Sequence, residues 1–258
     1  MTVGTFNGQR CALVVGHPGH ELRVWGWMRA VGPLVAVLTD GSGHEGHPRL
    51  QLSREICTRA KATPSELFGL VTDAAIYQAV LQGDASFFID LADRLTAWLV
   101  REQITIVVGD AIEGYNPTHD LCRILLNRAV RLACSARPVT TYAFDLTGPP
   151  GPPAEGPAVS VTLSPDNLAV KIATCRAYGH DVGGTLVAEI DGLLEQHGEV
   201  LFGREYLIPE DAWRNAAAPA GYRPYYETYG ERQVAAGHYR TVIRYDEHVR
   251  PLIHALQQ

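Results

Sequence analysis

The sequence predicts an α/β protein with a doubly wound, mainly parallel, Rossmann-like sheet and an α+β extension at the carboxyl end. Three observations predict it. Short apolar runs alternate with segments of helical periodicity over the first 145 residues, the pattern of parallel strands joined by crossover helices. Two of the runs stop abruptly at glycine and polar residues, at Val14-Val15-Gly16-His17 and Val107-Val108-Gly109-Asp110. Ligands of open α/β sheets bind outside the carboxyl ends of the strands, where such residues fall. A Pro/Gly-rich stretch at 148–157 then breaks the alternation, as a loop or hinge does.

In chain order, the apolar runs 11–16, 34–39, 104–109 and 139–144 read as strands. Segments 21–30, 50–63, 86–102 and 119–136 read as helices between them; in the third, Phe87, Leu91, Leu95, Trp98 and Leu99 recur at helical intervals. After the hinge, 158–163 reads as a strand, and Ser164-Pro165-Asp166 as a helix start with Ser164 capping and Pro165 in the first turn. Segments 167–178 and 182–196 are then helical and 199–207 extended. The organisation expected is a metal-site core at 1–147, a hinge loop at 148–157 and an extension at 158–258 packed on the core within one structural domain.

Bulk composition excludes several classes. Of 258 residues, 46% are apolar and 19% charged, enough for a sizeable core and too apolar for disorder. The net charge of −6 without a basic run argues against nucleic acid as a partner. No apolar run reaches membrane-spanning length, and residues 1–10 lack a signal-peptide pattern. We therefore expect a soluble, cytoplasmic protein that acts on a small molecule away from membranes. The five cysteines, Cys11, Cys57, Cys122, Cys134 and Cys175, lack disulfide or metal spacing and read as reduced, mainly buried thiols. From Tyr222 onward tyrosines are dense, and they pack over the sheet edge, line a pocket mouth or meet a second copy in a homo-oligomer.

The chemistry concentrates at two strand ends. The first run feeds Gly16-His17-Pro18-Gly19-His20-Glu21, and the third leads through Asp110 and Glu113 to Tyr115-Asn116-Pro117-Thr118-His119. Three histidines from two strand ends define a candidate mononuclear metal site of His17, His20 and His119. Zinc suits such a donor set, with ferrous iron as the alternative. Three neutral imidazoles leave the metal its full charge, which favours ionisation of a bound water. Asp110 and Asp40 are candidate bases, Asn116 a candidate oxyanion donor, and His238 a candidate acid or substrate contact. Arg54 and Tyr115 are candidate substrate contacts, and Glu21 a candidate partner that orients a ligand histidine. The loop 41–48, with His44 and His47, reads as a mobile lid.

Together these landmarks resemble the LmbE-like, or PIG-L, superfamily of zinc-dependent N-deacetylases, which act on N-acetylglucosamine-linked substrates and related amides. That family opens with Ala-His-Pro-Asp-Asp-Glu after its first strand, where this chain has Gly16-His17-Pro18-Gly19-His20-Glu21. Its Thr-Asp-Gly is matched by Thr39-Asp40-Gly41, and its Arg-Glu pair by Arg54-Glu55. Its closing His-Pro-Asp-His stands against Asn116-Pro117-Thr118-His119. The resemblance spans about residues 10 to 145 and thins beyond, where 171–180 and 202–205 continue it. It implies a deacetylase-type fold and a metal on His17, His20 and His119, with His20 replacing an aspartate ligand. The family's general base falls on Gly19, and its oxyanion-assisting histidine on Asn116. The expected function is a metal-dependent hydrolase that cleaves an amide or related C–N bond of a small metabolite through metal-bound hydroxide. The alternatives are an iron-dependent redox or rearrangement step in a biosynthetic pathway, and a non-catalytic metal- or ligand-binding protein.

Overall fold

The structure is a computed structural model that describes residues 3–43, 46–148, 151, 158–182, 185–199, 202–214, 216–219 and 221–258. Its centre is a sheet of seven strands. These are β1 (Cys11–Val15), β2 (Leu34–Thr39), β3 (Thr63–Val71), β4 (Ile106–Asp110), β5 (Thr140–Phe144), β6 (Val159–Thr162) and β7 (Arg204–Glu210). Their order is β3-β2-β1-β4-β5-β7-β6. The first five are parallel, and β7 pairs antiparallel with both β5 and β6. This is the predicted doubly wound, mainly parallel sheet. The order of strands reverses between β1 and β4, which opens a crevice where their carboxyl ends meet.

β1 and β4 are buried throughout because helices cover both faces. Side chains alternate across the sheet. Ala12, Val14 and Val107 face α4 (Ala85–Arg101), α5 (Pro117–Ala133) and α9 (Arg250–Gln257), where Phe88, Leu95 and Trp98 are buried. Leu13, Val15 and Val108 face the other layer, with Trp25 and Met28 of α1 (Trp25–Val31), Cys57 of α2 (Leu50–Arg59) and Tyr178 of α6 (Pro165–Asp181). Cys57 and Cys122 are buried core residues, as expected. Ser164 caps α6 by accepting from the Asn167 amide, with Pro165 in the first turn.

Several boundaries differ from the sequence reading. The helix expected over 50–63 stops at Arg59, where Lys61 takes a φ of +58°. The chain then forms β3, which was not predicted. Pro64 and Gly69 interrupt its pattern, and both are tolerated because β3 is an edge strand whose register against β2 shifts twice. Helix α3 (Asp73–Gln82), capped by Thr72, was also missed. The helix expected from residue 21 opens as a 3-10 turn over His20–Val24 before α1 begins. The segment expected at 182–196 is α7 (Thr185–His197), and the extended stretch at 199–207 becomes strand only at Arg204. The tyrosine-rich tail forms α8 (Tyr225–Ala235) and a π-turn at Tyr245–Val249. Most of the hinge at 148–157, and His44 in the 41–48 loop, lie outside the described residues. Among the described residues no helix is long and apolar enough to cross a membrane.

The extension is tied to the core by a buried carboxylate. Glu205 of β7 accepts from the Gly26 and Trp27 amides at 2.7 and 2.8 Å, satisfying two unpaired donors in the first turn of α1. Lys171 of α6 closes on the same carboxylate at 2.7 Å, and both side chains are almost wholly buried. Glu205→Ala leaves a buried ammonium without its counter-ion and two amides unpaired, so we expect a loss of about 3–5 kcal/mol in denaturant unfolding. The double variant Glu205→Ala/Lys171→Met is expected to lose less than Glu205→Ala alone.

Candidate metal centre

The site begins at the glycine that ends β1. The Gly16 amide donates to Asp110 Oδ2, at the end of the neighbouring strand β4, at 2.8 Å. The turn that follows is tight, with the His20 amide directed at the His17 carbonyl. Gly19 within it has a φ of +102°, a conformation open to glycine and strained for other residues. The turn places the His17 and His20 rings on one side. His119 arrives from the first turn of α5, where Pro117 occupies the first position and Asn116 is the cap, accepting from the Thr118 amide at 2.8 Å. One ligand atom from each of His17, His20 and His119 lies within 4.8 Å of the others. The ring centroids are 4.4 to 5.3 Å apart.

Burial pushes the His17 and His119 rings toward the neutral form, and neighbouring histidines push the same way; at His17 the carboxylates of Asp73 and Asp110 oppose it. Neutral imidazoles packed this closely have lone pairs to share with a cation. The nitrogens His17 Nδ1 and His119 Nδ1 are buried without a hydrogen-bond partner. His20 Nδ1 meets Asp110 Oδ2 at 2.9 Å, which leaves Nε2 for a ligand. This is the carboxylate–histidine pairing that holds imidazoles at metal sites. The donor set therefore fits a divalent cation, and zinc is the metal that three imidazoles suit best. Three neutral imidazoles are not the whole charge balance here: two buried carboxylates, Asp110 and Asp73, stand beside the His20 and His17 rings and would offset part of a cation's charge.

The predicted residues divide between the site and its scaffold. Asp110, expected as a base, is fully buried behind His20 and acts as its orienting partner. Arg123, also fully buried, fixes that strand end by donating to the Asp110 carbonyl, Thr141 Oγ1 and the Tyr142 carbonyl. Glu21 bonds Ser53 Oγ and the Gly19 amide, so it braces the histidine turn instead of holding a ring. Asp40 accepts from Ser42 and from the Asp73 amide, which makes it a loop brace. Glu113 binds Leu146 and Thr147 of the loop after β5. Asn116 donates to Tyr77 Oη at 3.3 Å and, with two N–H groups on its amide, retains a second donor. Arg54 is exposed and lies over the Phe68 ring at 4.5 Å. Tyr115 is half exposed and stacks on Tyr225 at 5.1 Å. His238 and His47 are exposed.

Sequence reasoning missed three residues of this region. Asp73 brings its Oδ1 to 3.3 Å from His17 Nε2. Its signal was the Thr72-Asp73 helix start, hidden because β3 before it was not recognised. Arg49 donates to the Gly41 carbonyl at 2.5 Å, and it and Pro18 both close on Gly41. Tyr178 explains Gly19. A Cβ at Gly19 would stand 2.5 Å from the Tyr178 hydroxyl, which itself donates to the Pro18 carbonyl at 2.6 Å. The place of the family's base is thus filled from α6. We expect Gly19→Asp, the nominal restoration of the motif, to cost about 1–3 kcal/mol in thermal or denaturant unfolding and to gain no activity.

Fold and site define a class, an α/β protein of deacetylase fold that carries a three-histidine group at the ends of β1 and β4. No family profile matches the sequence, and no curated protein matches it. Solved structures do. The conserved protein TT1542 from Thermus thermophilus matches with a TM-score of 0.55 at 16% identity, over 83% of this chain and 99% of that one. A deacetylase solved with teicoplanin, from the biosynthesis pathway of teicoplanin, matches with 0.55 at 15% identity, over 78% and 97%. The A40926 pseudoaglycone deacetylase Dbv21 matches with 0.52 at 13% identity, over 78% and 96%. At these identities the likeness is one of fold. The chain has the fold of LmbE/PIG-L-type deacetylases, as its motifs led us to expect.

Proposed function

We propose that the protein is a metal-dependent hydrolase that cleaves an amide or related C–N bond of a small metabolite. The observation that carries this reading is the convergence of His17, His20 and His119 at the crevice of a deacetylase fold. These three residues would hold the cation. When bound, a divalent metal polarises a carbonyl and lowers the pKa of water, the two requirements of amide hydrolysis. Around it, Asp110 fixes the His20 tautomer, and Glu21 with Ser53 keeps the histidine turn closed. The free N–H of Asn116 is aimed by its helix cap and its bond to Tyr77, and we assign it to the developing oxyanion. Tyr115, on the loop that leads to His119 and stacked on Tyr225, is the substrate contact we propose at the mouth of the site. Zinc is the metal proposed, because three imidazole donors suit it.

The test is the metal content of protein purified without added metal, wild type beside His20→Ala. We expect about one zinc per chain in the wild type and loss of it in the variant, followed by acid or amine release from an amide panel. Iron in place of zinc moves the reading to redox chemistry, and no metal in either protein refutes it. Binding to the folded state alone also stabilises that state. Zinc at about 100 times its Kd is therefore expected to stabilise the wild type by about 2.7 kcal/mol, and a chelator to remove the gain.

A further inference from the structure

Asp73 is a second buried carboxylate at this site, reached from a different strand end. It opens α3, which follows β3, and only 4% of its surface is exposed. Its position is over-determined. Asp73 Oδ2 accepts from the Gly43 amide at 2.6 Å, and the Asp73 amide faces Asp40 Oδ1 at 3.3 Å. The carboxylate therefore has little freedom to move. Its remaining oxygen, Oδ1, is buried, faces His17 Nε2 at 3.3 Å and lacks an aligned hydrogen bond. On the other side of the same ring, His17 Nδ1 is buried and unpartnered as well.

Those two unsatisfied atoms are two ends of one arrangement. A neutral imidazole carries one proton. With the proton on Nε2, the ring donates to Asp73 and presents the Nδ1 lone pair to the histidine cluster. With the proton on Nδ1, two lone-pair-bearing atoms face each other at 3.3 Å and the Nδ1 donor is wasted. We propose that Asp73 is the positioning residue of His17: it selects the Nε2–H tautomer, aims Nδ1 at the metal, and supplies negative charge that the three imidazoles lack. This rests on the metal-site reading above. It gives two of the three ligands the same support, Asp110 through His20 Nδ1 and Asp73 through His17 Nε2. It also gives the chain's departure from the family motif a physical sense. An aspartate absent from the ligand set at His20 is offset by carboxylates behind the ligands.

The experiment is titration of metal-free protein with Co(II) and with Zn(II), in wild type, Asp73→Ala, Asp73→Asn and Thr72→Ala, beside thermal unfolding of each metal-free protein. Asp73→Ala is expected to weaken both metals about 10- to 100-fold and to shift the visible Co(II) spectrum. Asp73→Asn, which keeps an acceptor for Nε2–H but no charge, is expected to recover part of the affinity. Thr72→Ala loosens the same helix start and keeps the carboxylate, so it is expected to bind Co(II) with wild-type affinity and spectrum. Wild-type affinity and spectrum in Asp73→Ala overturn the proposal, as does an equal loss in Thr72→Ala. If Asp73→Ala does not fold, Asp73→Asn decides: weaker binding at an unchanged metal-free Tm supports the assignment, and wild-type binding overturns it. Failure of the wild type itself to bind either metal refutes the metal-site reading, a result distinct from failure of the variants.

Discussion

The site depends on one shared acceptor. Asp110 Oδ2, at the end of β4, receives both the Gly16 amide from the end of β1 and the Nδ1 of His20. That oxygen ties two adjacent parallel strands at their carboxyl ends and orients a ring in the same contact. It works only because Asp110 is immobile, and Arg123 ensures this by clamping the Asp110 carbonyl to β5. Gly16 belongs to the same constraint, since a Cβ there would stand 3.2 Å from the shared oxygen. A buried carboxylate with two charge-assisted or backbone partners is a rigid device in a low-dielectric interior, where breaking either bond is costly. The three-histidine cluster inherits that rigidity.

The departures from the deacetylase motif fit together instead of marking decay. Gly19 is enforced by its backbone conformation and by Tyr178, whose hydroxyl occupies the space a side chain would need. Tyr178 is held in place by α6, and α6 is held by the Lys171–Glu205 pair, which also caps α1. The carboxyl-terminal extension therefore does more than cover the sheet edge: it shapes the turn that carries His17 and His20. Carboxylates from β4 and α3 stand at His20 Nδ1 and His17 Nε2.

Legibility tracked how local each feature was. β2 was read to the residue, and β1, β4 and β5 within two residues, because strands buried on both faces are continuous apolar runs. Ser164 and Pro165 announced α6 because capping is decided by a few neighbouring residues. β3 was invisible, since an edge strand tolerates proline, glycine and shifted register and shows no period. With β3 went α3 and Asp73. Among the site residues, the three histidines were legible from their strand-end positions. The partners of Asp40 and Glu21 were not, because which way a polar side chain turns depends on partners distant in sequence.

The sequence by itself determined the α/β class, the strand ends that bear the chemistry, and the three histidines that meet there, since apolar periodicity and motif order are written locally. Only the tertiary structure decided which carboxylate serves which histidine, why residue 19 is glycine, and how the last hundred residues support the first. Those answers rest on contacts such as His20–Asp110, His17–Asp73, Gly19–Tyr178 and Gly26–Glu205, whose partners are 56 to 179 residues apart. No local pattern encodes a pairing across that distance, because it exists only once the sheet has brought the strand ends together.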